Sequence, residues 1–88
     1  MVYQLEFSKE VQKQLRKMDK HQAALIVRWL YKNVDGATNP RQQGKAFTGN
    51  LGNYWRYRIE NYRAIVEIED ERLVITAIQI GHRRNIHN

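Results

Sequence analysis

The run Tyr54-Trp55-Arg56-Tyr57-Arg58-Ile59-Glu60-Asn61-Tyr62-Arg63 alternates large aromatic or aliphatic side chains with arginine. A repeat of two belongs to a strand rather than a helix. Trp55, Tyr57 and Ile59 are therefore predicted on one face of a sheet, with Arg56 and Arg58 on the other. With Glu60 and Asn61 as a two-residue loop, the segment folds into a hairpin that sets Ile59 against Tyr62, Tyr57 against Ala64, Trp55 against Val66 and Arg58 against Arg63. Opposed arginines repel by up to about 1 kcal/mol when no anion lies between them. The pair reads either as a site that expects an anion or as guanidiniums splayed into solvent. The turn is the weak point, because Glu tolerates a positive φ less well than Gly or Asn. A three-residue loop would carry Arg63 to the opposite face.

A chain of 88 residues holds one domain and one core. It contains no cysteine, so neither disulfides nor thiolate metal sites can hold it together. The apolar runs are too short to span a bilayer and the start is not a signal peptide, so a soluble, cytoplasmic protein is expected. Fifteen Lys and Arg against nine Asp and Glu leave a net charge of +6. That field favours polyanionic partners, either nucleic acid or an acidic protein.

Tyr3, Leu5 and Phe7 alternate with Val2, Gln4 and Glu6 in a short N-terminal strand. Ser8 is placed to cap a helix over Lys9 to Met18, with Val11, Leu15 and Met18 inward and Lys9, Lys13, Arg16 and Lys17 as a basic outer face. Asp19 caps a second helix, along which Ala23, Ile26, Val27, Leu30 and Val34 recur at helical spacing before Gly36 ends it. Trp29 and Tyr31 widen its apolar surface, for core packing in preference to a docking groove. Ala37 to Asn53 has no sustained period and reads as one long loop, the kind that is usually functional. Phe47 and Leu51 are placed to pin it, and Arg41 and Lys45 make it basic. Asp70-Glu71 turns the chain into Leu73 to Ile80, apolar on both faces as a central strand is, with Gly81 as its end. The expected fold is α+β: a strand, two helices and three antiparallel strands, forming a four-stranded sheet with helices on one face and arginines on the open one.

Gly44-Lys45-Ala46-Phe47-Thr48-Gly49-Asn50-Leu51, the Trp55-Arg56-Tyr57-Arg58 run with Tyr62-Arg63, and the tail Ile80-Gly81-His82-Arg83-Arg84 resemble the RelE toxins of the RelE/ParE superfamily across the whole chain. The resemblance implies a RelE-like microbial RNase fold and a toxin of a type II toxin–antitoxin pair. Such a toxin enters the ribosomal A site and cleaves the messenger without metal or other cofactor, and a cognate antitoxin neutralises it. The ribose 2′-hydroxyl attacks the adjacent phosphate. Arg56 and Arg58 match a basic pair on the first hairpin strand, Arg63 an arginine on the second, Arg83 one after the last strand, and His87 a terminal tyrosine. Arg41, Lys45, Arg84 and the helix residues Lys9, Lys13, Arg16 and Lys17 are the candidate RNA contacts.

This chemistry requires in-line positioning, neutralisation of charge on the phosphorane oxygens, and proton transfer. Arginine supplies the first two well, since its planar fork matches phosphate and stays charged. With a pKa above about 12 it supplies the third badly. The best-known family pattern has lysine for the hairpin pair and tyrosine near the end, so His87 is left as the group titrating near neutrality. His82 alternates with Arg83 and is expected to face the core in a structural role, while His21 is expected in solvent. Three scattered histidines make no metal site. Two other functions remain open: a ParE-like toxin that poisons DNA gyrase without nuclease chemistry, and an inactive module that binds RNA or antitoxin.

Overall fold

The computed structural model describes residues 1–47 and 54–82. Its elements are β1 (Gln4–Phe7), α1 (Lys9–Lys17), α2 (Lys20–Asn33), β2 (Lys45–Ala46), β3 (Tyr54–Ile59), β4 (Tyr62–Glu69) and β5 (Val74–His82). They form one sheet in the order β1-β5-β4-β3-β2, in which β1 runs parallel to β5 and the other pairs are antiparallel.

Both helices start where a polar side chain can satisfy their first N–H groups. Ser8 Oγ accepts from Val11 N at 3.1 Å, and Asp19 Oδ2 accepts from His21 N at 3.0 Å and Gln22 N at 3.2 Å. Past the end of α2, Gly36 adopts φ +79° and donates its N–H to Tyr3 O at 2.8 Å. The edge of β1 is covered by this same segment: Tyr3 N donates to Ala37 O at 2.9 Å and Leu5 N to Asp35 Oδ1 at 2.9 Å. Backbone groups that could pair with another strand are thus used internally.

The hairpin register is the one expected from the alternation. Arg58 pairs with Arg63, Tyr57 with Ala64, Trp55 with Val66 and Ile59 with Tyr62. Glu60 takes the unfavourable φ of 54° that a two-residue loop demands. Tyr57, Ile59, Ala64, Val66, Ile68, Ile75, Ala77 and Ile80 point from the sheet onto Val11 of α1 and Ile26 and Leu30 of α2, in a single core. α2 therefore uses its apolar stripe for packing, and the Trp29 ring meets that of Tyr57 at a 52° tilt with centroids 5.7 Å apart.

Three expectations are corrected. The sheet has five strands, not four, because Lys45-Ala46 inside the long loop pairs with Arg56 and Trp55; two residues are too few to show a period. The last strand does not end at Gly81 but continues to His82, which pairs with Tyr62, since glycine offers the same N–H and C=O to a ladder as any other residue. His82 is exposed, because the strand outruns the core at Ile80; its ring lies edge-on to Tyr62 at 5.2 Å.

A bulge sets the phase of β5. Ile65 pairs with Gln79 but its neighbour Val66 pairs with Ala77, so Ile78 is an extra residue. Ile75 and Ala77 face the helices before it and Ile80 after it, which leaves Thr76, Gln79 and Gly81 on the open face.

Candidate nucleic-acid site

The open face is divided by charge. At one end, the ladder puts Lys45 of β2 beside Arg56 of β3, and Arg58 of β3 beside Arg63 of β4. Across β4, Arg63 pairs with Gly81, which has no side chain to fill the space next to the guanidinium. These residues line a pocket of about 190 Å³ whose walls, among the described residues, are Gly44, Lys45, Arg56, Arg58 and Arg63, four cations and no acid. Burial, and then the charge of Arg63, lowers the pKa of Arg56. The cations thus press on one another in a partly desolvated cleft, where a phosphate would gain most. At the other end of the same face lie Glu6, Glu67 and Glu69.

The loop before β2 builds the pocket wall. Gly44 sits at φ +82° so close to β3 that a Cβ would collide with the Arg56 carbonyl oxygen and lie 2.8 Å from Trp55 Nε1. Trp55 Nε1 donates to Gln43 O at 2.6 Å, and the buried Tyr57 hydroxyl donates to Pro40 O. Burial pushes the Tyr57 phenol up to about 12, with Arg41 acting weakly in the opposite direction. Sequence reading did not pick out Gly44 as a structural requirement or the two aromatic anchors. A glycine immediately before a strand-edge lysine is the one signal that was available.

The structure brings together Lys45, Arg56, Arg58 and Arg63. It does not bring Arg41 to them. That guanidinium forms a two-pronged ion pair with Asp70 in the β4–β5 turn, both N–O distances being 3.0 Å, and Tyr3 donates its hydroxyl to the same carboxylate at 2.6 Å. The bond from Arg41, followed by that from Tyr3, holds the Asp70 carboxyl below the usual range. Lys9, Lys13, Arg16 and Lys17 are exposed on α1, in the helical layer behind the sheet rather than around the pocket. Arg83, Arg84 and His87, like Leu51, lie outside the described residues. Among the described residues no group of His, Cys, Asp or Glu is placed to hold a metal ion, and no helix is long and apolar enough to cross a membrane.

Two helices packed on a sheet of mixed strands is the fold that this chain shares with solved RelE toxins. The family model of the ParE toxin of type II toxin–antitoxin systems matches residues 5–87, and the chain belongs to that family. Among solved structures it is similar to the RelBE2 toxin–antitoxin complex of Mycobacterium tuberculosis, with 23% identity over 97% of each chain and a TM-score of 0.82. The intact E. coli RelBE complex matches with 20% identity, 92% of this chain and 96% of that one covered, and a TM-score of 0.73. The archaeal RelE–RelB complex of Pyrococcus horikoshii matches with 20% identity, 98% and 100% coverage and a TM-score of 0.66. At these identities the likeness establishes the fold. No curated protein sequence matches at a significant level.

Proposed function

We propose that this toxin is a ribosome-dependent, metal-independent mRNA endonuclease, held in check by a cognate antitoxin of the kind seen with its structural neighbours. The observation that carries the reading is the pocket in which Lys45, Arg56, Arg58 and Arg63 converge on the open face. In the proposed reaction the messenger's own 2′-oxygen attacks the adjacent phosphorus and gives up its proton. The bond to the 5′-oxygen breaks, that oxygen takes a proton, and a 2′,3′-cyclic phosphate remains. Arg58 and Arg63, facing each other across the hairpin, grip the phosphate and neutralise the growing charge on its equatorial oxygens. Arg56 and Lys45 hold the strand in line at the pocket's edge. Arg83 adds to the clamp, and His87 serves as the proton carrier in this reading.

The test is single-turnover cleavage of a messenger on ribosomes stalled with a defined codon in the A site. The wild type cuts there, and Arg63→Ala, altered at the open face with the core intact, cuts about 10²–10³-fold more slowly. The ParE description of the matching family favours a second reading, in which the same fold poisons DNA gyrase. Intact messenger on ribosomes, together with accumulation of gyrase–DNA cleavage complexes, would establish that second reading in place of the first.

A further inference from the structure

A second pocket of different chemistry lies on the side of β3 to which Tyr57 points, and meets the cationic one through the chain neighbours Gln43 and Gly44. It occupies about 290 Å³ between the end of α2 and the loop before β2, and its polar lining comes from Asn33, Thr38, Asn39, Gln42 and Gln43, with Tyr57 also in its wall. Among the described residues none of its lining side chains is charged, although the molecule carries +6. We infer that this amide-lined pocket is a nucleobase subsite, which receives a base of the same strand whose phosphate sits among Lys45, Arg56, Arg58 and Arg63. The inference rests on the nuclease reading above for its substrate, and it adds what that reading lacks, a place where base identity is sensed.

Three observations support it. The first is connectivity: Gln43 lines the amide pocket while Gly44 and Lys45 line the cationic one. Two residues of chain span no more than about 7 Å, so a strand with a phosphate beside Lys45 has a neighbouring base within reach of Gln43. The second is chemistry. A carboxamide offers a donor and an acceptor side by side, the pattern that reads a base edge, and Asn or Gln is the usual partner of adenine's N6 and N7. A site without a cation has little to offer a phosphate, so the two pockets divide a nucleotide between them. The third is rigidity. The segment is held by Tyr57 on Pro40 O, by Trp55 on Gln43 O and by Arg41 on Asp70. Within it, Asn39 Oδ1 accepts from Arg41 N at 3.2 Å, and at the end of α2 Asn33 Nδ2 donates to Trp29 O at 2.9 Å. Two of the amides are thereby oriented before any ligand arrives, which lowers the ordering cost of binding. The volume is close to the roughly 300 Å³ lower end of small-molecule sites, enough for a single base.

The experiment has two arms. In the first, isotope-labelled toxin is titrated with the ribotrinucleotides AAA and UUU and with inorganic phosphate, while the side-chain NH₂ signals of Asn39, Gln42 and Gln43 are followed. AAA is expected to move them more than UUU, and phosphate is expected to leave them in place while perturbing the arginine Nε signals. In the second, cleavage on ribosomes is compared across A-site codons for the wild type and for Gln42→Ala/Gln43→Ala. The double variant is expected to flatten the wild type's codon preference by about 5–150-fold, the discrimination that a good amide–base pair supplies. Amide signals that ignore both trinucleotides, or that follow phosphate equally, overturn the subsite, as does an unchanged codon profile in the double variant. If the amides respond to AAA but the wild type cuts nothing on the ribosome, the subsite stands and the nuclease reading falls. Amides that move only when an antitoxin binds would mark the pocket as a protein contact and refute the inference.

Discussion

Replacing Gly44 by alanine tests the geometry of the pocket wall, and Gly36→Ala supplies the matched control. Both glycines have positive φ, +82° and +79°. Forcing an L-residue into that region costs about 1–2 kcal/mol. At Gly36 an added Cβ meets nothing within 4 Å, so backbone strain is the whole effect. At Gly44 the same methyl collides with the Arg56 carbonyl oxygen, lies 2.8 Å from Trp55 Nε1 and reaches Tyr57 Cδ1 at 3.0 Å. Those neighbours are the β3 backbone and two anchored rings, which cannot swing aside as a flexible chain end would. Overpacking of that kind adds about 1–3 kcal/mol. Gly36→Ala is therefore expected to lose about 1–2 kcal/mol and Gly44→Ala about 2–5 kcal/mol, out of a total that for small domains is about 5–15 kcal/mol. Urea unfolding followed by tryptophan fluorescence measures both, and Trp55 also reports the loop directly through its bond to Gln43. Equal losses in the two variants would refute the claim that Gly44 is required by close approach to β3.

Three further outcomes follow from the same geometry. Asp70 has a folded pKa below its unfolded value because Arg41 and Tyr3 bond to its carboxylate, so its contribution to stability is present above the unfolded pKa of about 3.9 and is lost as pH falls through the folded pKa. Wild type should melt above Asp70→Asn at pH 7, and the gap should close as the pH is taken well below 4; a gap independent of pH would show that the ion pair does not tie down the loop. Lys13→Glu/Lys17→Glu on the exposed face of α1 should weaken ribosome binding and flatten its dependence on salt, whereas an unchanged salt slope would reduce that face to solvated charge. His87→Ala should slow single-turnover cleavage by about 10²–10⁴-fold with little loss of ribosome binding, and should remove a limb of the pH profile near the imidazole pKa. Unaltered cleavage after deletion of residues 86–88 would assign proton transfer elsewhere.

Local periodicity determined much of this protein. The alternation around Trp55 and Arg58 was enough to specify the hairpin and the face on which Arg56 and Arg58 stand, because a strand has only two faces and a slip of one residue would have buried arginine; the two-residue turn, and with it the Arg58–Arg63 pairing, was one of two loop lengths open to the sequence and is settled by the register. Ser8, Asp19 and Gly36 marked the helix boundaries for equally local reasons. Tertiary structure decided what depends on contacts between distant segments. Arg41 and Lys45 look alike in sequence, yet one is taken by Asp70, 29 residues away, while the other joins the pocket through a two-residue strand. The loop before β2 is held by phenol and indole groups that reach the Pro40 and Gln43 carbonyls from β3, bonds that leave no trace in hydrophobic period. The run Leu73 to Ile80, apolar on both sides, was silent about phase, since either register would bury aliphatic groups. Only the bulge at Ile78, formed against Ile65 and Val66 of β4, turns Ile80 into the core and sets Gly81 beside Arg63, leaving the space in which the cations meet.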